Sequence, residues 1–221
     1  MSMRIYHGAK QIVREPRFGI GRSYNDFGLG FYCTENEERA GEWAVSASDN
    51  GFVSVYALND SGLRIIDLAS SQYTIMHWLS LLMNYRVFDS SSSMLHLAGE
   101  YIARNFPVDY QNCDCIAGYR ADDVSFTLAQ LFLNNELPFQ ELRRHLTSGE
   151  LGTQFVLKSN RAFDRVSYVG YVTASSKDIY PEKLSRQMAV LQSAYKKAGA
   201  PGLYISDLIN EEVKAYDARL Q

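Results

Sequence analysis

The sequence contains few cysteines, only three in 221 residues, and their odd number and spacing do not fit a disulfide framework. Cys113 and Cys115 flank Asp114, a pattern that predicts two small residues on one strand face rather than a metal site. No HExxH, P-loop or paired CxxC motif occurs, so metal and nucleoside-triphosphate chemistry have no support. We therefore expect no metal, and a reducing cytoplasm as the compartment.

Long apolar runs are also missing. Residues 1–7 lack the apolar run of a signal peptide. The most apolar later stretch, residues 73–87, is interrupted by His77 and Arg86, and it is too short and too polar to span a bilayer. We expect a cytoplasmic protein with no membrane partner, although it could be delivered into a target cell.

Charge of one sign is not in excess. Lys and Arg number 22 against 25 Asp and Glu, a net charge of −3, which is too balanced for a general nucleic-acid coat or a polybasic membrane binder. Aromatic residues, by contrast, are plentiful at 13% of the chain. They fill cores and also stack on flat ligands, so their number alone does not separate the two uses.

Local patterns predict strands and helices in mixed order. The loop over residues 59–62 predicts a hairpin between strands at 52–58 and 63–68. Thr34, which is followed by acidic residues, predicts the N-cap of a helix over residues 35–47.

The order of these elements follows no strict βαβ rhythm, so we expect the α+β fold class. The predicted main domain covers residues 1–175, and residues 176–221 form a C-terminal helical extension of the same domain. Helices are predicted there over 181–198 and 206–220. These helices could pack on the main domain or dock a partner.

Three short segments carry residues suited to a flat, charged ligand: residues 6–8, 26–34 and 152–156. The glycine after the histidine of the first segment would let a ligand approach the backbone. Tyr32 and Trp43 could clamp a ring between a strand and the next helix, and each face of a cationic ring would add about 1 kcal/mol when desolvated. Each residue alone is more typical of core packing, so the prediction depends on their joint order and spacing.

These segments resemble the ADP-ribosyltransferase superfamily in its diphtheria-toxin and poly(ADP-ribose)-polymerase branch. That branch carries a His-Gly strand, a Gly-x-Gly-[Ile/Phe/Val]-Tyr strand and a third strand that opens with Glu or a replacement. Tyr6-His7-Gly8, the stretch from Phe27 to Tyr32, and Gln154 match these three strands. A closer resemblance, to a bacterial family of uncharacterised proteins in this superfamily, covers about residues 3–170.

The resemblance implies a split mixed sheet with flanking helices, and NAD as co-substrate without a metal. It implies that His7 hydrogen-bonds a ribose hydroxyl of NAD and that the Gly8 backbone grips the nicotinamide carboxamide. Tyr32 and Trp43 would stack on the nicotinamide ring, and Gln154 would face the ribose near the bond that breaks. The catalytic residues expected are therefore His7, Tyr32 and Gln154.

Further residues complete the expected NAD-binding set: Arg22, Asp26, Phe27, Gly28 and Gly30. Arg22 could reach the pyrophosphate through a bidentate contact, or it could lie on the surface. Asp26 could touch the ligand, or it could fix the turn before Gly28.

The third motif position holds Gln154, where a Glu would stabilise positive charge on the sugar and align an acceptor hydroxyl. A glutamine only donates and accepts hydrogen bonds, which favours transfer of a single ADP-ribose over polymer formation. Asp122 and Asp123 could supply the missing acid. Alternatively, they begin a helix by capping its free N–H groups.

The function expected is that of a toxin-like or defence-related bacterial mono-ADP-ribosyltransferase. It would transfer ADP-ribose from NAD to a macromolecular acceptor, either protein or nucleic acid, with release of nicotinamide. Two alternatives stay open: a catalytically weak NAD- or ADP-ribose-binding interaction module, and an NAD glycohydrolase. An antitoxin or another partner protein could dock on the C-terminal helices.

Overall fold

The computed structural model describes residues 2–89 and 92–221. Within them, the seven strands are, in chain order, β1 (Ser2–Ala9), β2 (Phe31–Cys33), β3 (Gly51–Asn59), β4 (Ile65–Asp67), β5 (Cys115–Tyr119), β6 (Thr153–Leu157) and β7 (Val166–Ala174). The eight α-helices are α1 (Glu37–Ala44), α2 (Ile75–Met83), α3 (Ser93–Asn105), α4 (Asp123–Leu133), α5 (Phe139–Thr147), α6 (Asn160–Phe163), α7 (Ser176–Lys197) and α8 (Ile205–Asn210), and a short 3₁₀ helix covers Ala218–Leu220. The predicted α+β class is confirmed. No helix in this described part is long and apolar enough to cross a membrane.

The strands form two sheets whose backbones are joined by one isolated bridge, beyond which the strands β1 and β2 diverge. The first sheet has the antiparallel order β1-β3-β7, and the second has the order β2-β6-β5-β4 with β4 parallel to β5. Among the described residues, one isolated bridge joins β1 to the end of β2: Tyr6 and Thr34 exchange N–H···O bonds of 2.8 and 2.9 Å. Past this bridge, β1 and β2 no longer pair, which leaves a gap between the sheets.

The main core lies between the helices and the second sheet. Helix α2 is apolar around most of its circumference and is buried along nearly its whole length, as expected for a helix inside a core. Trp78 on this helix is fully buried, and its indole N–H donates to the Tyr119 carbonyl at 2.8 Å. A second buried cluster draws side chains from both sheets: Ile5, Cys33, Tyr56 and Phe155. The two sheets therefore pack against each other.

The C-terminal helices pack on the main domain. They contribute to the same apolar core as α2–α5 through Val190, Ala194, Ile205 and Leu208. Helix α7 begins at Ser176, earlier than predicted. The Ser176 N–H donates to the Asn50 side chain at 2.8 Å and its hydroxyl to the Ser46 carbonyl at 2.6 Å, so contacts with a distant loop fix this helix start.

The predicted hairpin between β3 and β4 is wrong. Strand β3 pairs with β1 and β7, whereas β4 crosses to the other sheet and pairs with β5. The Asp114 carboxylate accepts the Arg64 N–H at 2.8 Å and so holds the start of β4 beside β5. A strand of three residues carries too little pattern to indicate its partner, because register is specified mainly by an extended buried face.

Two predicted helix boundaries are also wrong. Thr34 lies in the bridge between the sheets, and Asn36 caps α1 instead with its side-chain oxygen. The single helix predicted over 206–220 ends at Asn210. Glu212 adopts a φ of +48°, and this left-handed backbone conformation terminates helices.

Candidate functional site

A cleft of about 1120 Å³ opens where the two sheets separate. Eight of the ten predicted site residues line it: His7, Gly8, Arg22, Asp26, Gly30, Tyr32, Trp43 and Gln154. Phe27 and Gly28 do not line it, since Phe27 is fully buried in the main core and Gly28 forms a turn with a φ of +73°. Among the described residues, no group of His, Cys, Asp or Glu side chains is arranged to hold a metal.

The Gly8 backbone faces this gap. Tyr6 turns its N–H and C=O toward β2, where they bond Thr34. Because these groups alternate along an antiparallel strand, Gly8 turns its own N–H and C=O the same way. No β2 residue pairs with Gly8 there, and it takes part in none of the described backbone hydrogen bonds outside the regular ladders. A donor and an acceptor therefore lie side by side in the cleft.

The side chain of His7, on β1, contacts the backbone of β2. Its Nδ1 lies 2.7 Å from the Tyr32 carbonyl oxygen, and since a carbonyl can only accept, Nδ1 carries the proton. Burial lowers the pKa of His7 below its usual value, although the bond to Tyr32 opposes this. The ring is consequently neutral at pH 7, and its Nε2 is a hydrogen-bond acceptor that can receive a hydroxyl from a ligand in the cleft.

Gly8 must be small because helix α1 packs directly against it. A Cβ built at Gly8 would lie 1.8 Å from the Ala40 carbonyl oxygen and 3.0 Å from the Ala44 nitrogen. The helix backbone thus packs directly on the strand at this point. This packing gives one reason for a glycine at position 8, and the Gly8 backbone groups face the cleft, so approach of a ligand to them stays a prediction.

Tyr32 is held by the turn that precedes its strand. Its hydroxyl donates to the Gly28 carbonyl at 2.7 Å and accepts the Phe27 N–H at 2.9 Å. The Lys158 ammonium group donates to the Phe27 and Leu29 carbonyls, the latter at 2.7 Å. Phe27, Gly28 and Lys158 therefore position the Tyr32 ring, although they do not line the cleft themselves.

Asp26 and Gln154 lie together among the cleft-lining residues, with exposed fractions of only 7% and 4%. The Asp26 carboxylate accepts Gln154 Nε2–H and the Ala121 N–H, both at 3.0 Å, and an Arg86 guanidinium N–H at 2.6 Å. Burial raises the pKa of Asp26 above its usual value, and the Ala121 bond and the Arg86 charge only partly offset this rise. No motif in the sequence indicates Arg86, because it is a single arginine 60 residues away from Asp26.

Trp43 shares the cleft with a second arginine that the sequence did not indicate. The Arg120 guanidinium lies over the Trp43 ring, 5.0 Å from its centroid, and 3.5 Å from the Asp122 carboxylate. Burial lowers the pKa of Arg120, but the negative charges of Asp122, Asp26 and Glu42 oppose this shift. Arg120 thus covers one face of the ring that the sequence assigned to stacking on a ligand.

Helix α7 also borders the cleft, through Tyr180, Lys183 and Gln187. Lys183 donates to the Glu42 carbonyl at 2.9 Å and so ties α7 to α1. Arg22 lies at the exposed edge, with its guanidinium 5.9 Å from the Tyr24 ring centroid. The polar side chains of α7 carry no motif, so sequence patterns could not place them beside residues of the first sheet.

Asp122 is the N-cap of α4, as one of the two sequence-based interpretations predicted. Its carboxylate accepts the Ser125 N–H at 2.9 Å and the Gln187 amide N–H at 3.2 Å. The exposed neighbour Asp123 occupies the first helical position. Both line the cleft, but the cap accounts for the position of Asp122.

Replacing Asp122 with alanine is expected to lower the free energy of unfolding by about 1 kcal/mol, because the cap acceptor is lost. Urea unfolding followed by circular dichroism measures this change. Asp123→Ala is the matched control, with an expected effect within about 0.5 kcal/mol. Equal losses in the two variants would show that the cap does not hold this end of the helix.

A family model described as "Protein of unknown function (DUF3990)" matches residues 3–168. Helices α7 and α8 therefore lie outside the matched range, although α7 borders the cleft. No curated protein and no solved structure matches the chain.

Proposed function

The chain belongs to the DUF3990 family, whose model covers most of it, and we propose that it is an NAD-dependent mono-ADP-ribosyltransferase. The fold proposed is that of the ADP-ribosyltransferases, in which the sheet is split. The acceptor proposed is a macromolecule, protein or nucleic acid. A toxin-like or defence-related role in bacteria, with an antitoxin or other partner, belongs to the same proposal.

One observation carries this proposal. His7, Tyr32 and Gln154 come from three different strands and line one cleft, beside the outward-facing N–H and C=O of Gly8. A primary carboxamide such as that of nicotinamide offers both an N–H donor and a C=O acceptor, so it complements the paired groups of Gly8. The His7 Nε2 acceptor lies next to them in the chain and suits a ribose hydroxyl.

The reaction requires little beyond orientation and charge stabilisation. The bond between the ribose carbon and the nicotinamide nitrogen breaks, and its electron pair neutralises the positive ring. The acceptor nucleophile forms the new bond to that carbon and loses its proton to solvent. His7 and Gly8 would hold the two sides of the breaking bond, and Tyr32 would support the ring.

The second candidate, an NAD- or ADP-ribose-binding module with weak catalysis, is favoured by two observations. Gln154 is neutral, and Arg120 already covers one face of Trp43. The positive charge of Arg120 opposes binding of the positive nicotinamide ring at this face, so the second observation favours ADP-ribose over NAD as the ligand of such a module.

NAD labelled in its adenosine half distinguishes these functions when it is incubated with the protein and a bacterial lysate. We expect release of nicotinamide together with label on a macromolecule, and digestion with protease or nuclease then identifies the acceptor class. Nicotinamide release without label would indicate a glycohydrolase. Binding of NAD without release would indicate the binding module, and the absence of both would contradict the proposal.

A further inference from the structure

The Gln154 side chain has a fixed orientation. Its Nε2 donates to the Asp26 carboxylate at 3.0 Å and to the Tyr119 carbonyl at 3.3 Å. Both partners are acceptors, so the amide nitrogen, which carries two hydrogens, must be the atom that faces them. The two N–H donors of Gln154 are thereby used within the protein.

The other end of the amide is free for a ligand. Gln154 Oε1 accepts no hydrogen bond from the described residues. The described side-chain atoms that are both buried and unpartnered do not include it. An unbonded atom outside that buried set is accessible, and Gln154 lines the cleft. The side chain therefore presents an acceptor, the negative end of the amide dipole, to whatever occupies the cleft.

Asp26 enforces this orientation together with the Tyr119 carbonyl, and it makes the shorter of the two bonds. Its two oxygens receive three N–H donors, from Arg86, Ala121 and Gln154, so both act as acceptors, and the ion pair with Arg86 at 2.6 Å opposes the rise in pKa that burial causes. If Gln154 turned its oxygen toward Asp26, two acceptors would meet in a buried site, which is costly. The carboxylate therefore selects one of the two amide orientations.

We infer that Asp26 is a positioning residue that aims the Gln154 carbonyl oxygen at the ribose of the bound dinucleotide. This role rests on the proposed NAD-dependent function. Asp26 and Gln154 then act as one unit with a single negative charge. The negative charge is on Asp26, which binds the nitrogen end of the Gln154 amide. The oxygen at the other end of the amide is therefore the acceptor that faces the sugar.

We therefore expect the Gln154→Glu substitution to impair the enzyme, although this substitution introduces the acid that other members of the resembled branch carry. Two carboxylates at hydrogen-bond distance cannot both ionise without strong repulsion. We expect kcat for nicotinamide release to fall about tenfold or more, with KM for NAD changed less, since orientation of the reacting end is what is lost. Asp26→Asn should lower kcat in the same way but less, because the neutral asparagine selects the amide orientation more weakly while the Tyr119 carbonyl still accepts from Gln154.

The double variant Asp26→Asn/Gln154→Ala tests whether Asp26 acts through Gln154. We expect its kcat to equal that of Gln154→Ala alone, since an amide that has been removed no longer needs to be oriented. Gln140→Glu is the matched control: Gln140 lies on α5 outside the cleft lining, and its side-chain oxygen accepts the Leu203 N–H at 3.0 Å, a bond that a glutamate keeps, so activity should stay close to wild type.

Thermal unfolding tests the same pair without using activity. In Gln154→Glu, one carboxyl pKa rises above its unfolded value of about 4.3, so stability is retained at acidic pH and lost as pH rises through the raised pKa. The other titratable groups that interact with Asp26 are Arg86, Arg120 and Tyr32, and all are present in every variant. The Tm deficit of Gln154→Glu relative to wild type should be larger at pH 8 than at pH 5, and the deficit of Gln154→Ala, which adds no carboxyl group, should vary less with pH.

These outcomes separate the inference from the proposed function. A wild-type protein without NAD turnover overturns the function and this role with it. An active wild type together with a fully active Gln154→Glu variant overturns the role of Asp26 alone. A double variant Asp26→Asn/Gln154→Ala that is clearly less active than Gln154→Ala, or a Tm deficit of Gln154→Glu that is independent of pH, also overturns it.

Discussion

Replacing His7 with alanine is expected to reduce nicotinamide release about 100-fold or more, the size of effect seen when a positioned polar group is removed from an active site. The variant loses the Nε2 acceptor for the ribose and the Nδ1–H that occupies the Tyr32 carbonyl. Initial rates of release at saturating NAD measure the change. His96→Ala, at an exposed position on α3, is the matched control and should be fully active.

The pH dependence gives a second test of His7. Because burial lowers its pKa, the ring stays neutral through pH 7–8, and wild-type activity should be level there. Activity should fall only below the usual histidine pKa of about 6.5, as protonation of Nε2 removes the acceptor. A folded His7→Ala variant that keeps a third or more of wild-type activity would contradict the assignment of this site.

Replacing Gly8 with alanine is expected to lower the free energy of unfolding by about 3 kcal/mol or more, at the upper end of overpacking effects. The added methyl group would lie 1.8 Å from the Ala40 carbonyl oxygen. Relief requires α1 to move off β1, since backbone on both sides cannot turn away as a side chain can. Urea unfolding measures the loss.

Gly170→Ala is the matched control for this variant. Gly170 also lies in a strand of the first sheet, but a Cβ there meets nothing within 4 Å. Its unfolding free energy should stay within about 1 kcal/mol of wild type. If Gly8→Ala were as stable as Gly170→Ala, the close packing of α1 on β1 would be wrong, and with it the fixed position of the Gly8 backbone in the cleft.

Much of the fold follows from periodic patterns in the sequence. Helices such as α4 and strands such as β3 have apolar repeats long enough to specify their type. The pairing of β4 does not follow, because three residues specify neither partner nor direction. The break at Glu212 is also hidden, since a left-handed glutamate carries no local signal comparable to glycine.

The candidate site could be predicted only where it has a motif. The His-Gly and Gly-x-Gly-Phe-Tyr segments and Gln154 led to residues that line one cleft. No sequence pattern indicates Arg86 or Arg120 as site residues. Their partners, Asp26 and Trp43, lie 60 and 77 residues away in the sequence and contact them only in the folded chain. The contact of Asp26 with Gln154 could not be predicted for the same reason, because the two residues are 128 positions apart in the sequence.

A crystal structure of the protein with NAD tests the central claim most directly. We expect to find the nicotinamide carboxamide on the N–H and C=O of Gly8, a ribose hydroxyl on His7 Nε2, the ring against Tyr32, and Gln154 Oε1 directed toward the ribose. NAD bound elsewhere on the chain, or a cleft that stays empty at saturating NAD, would contradict it.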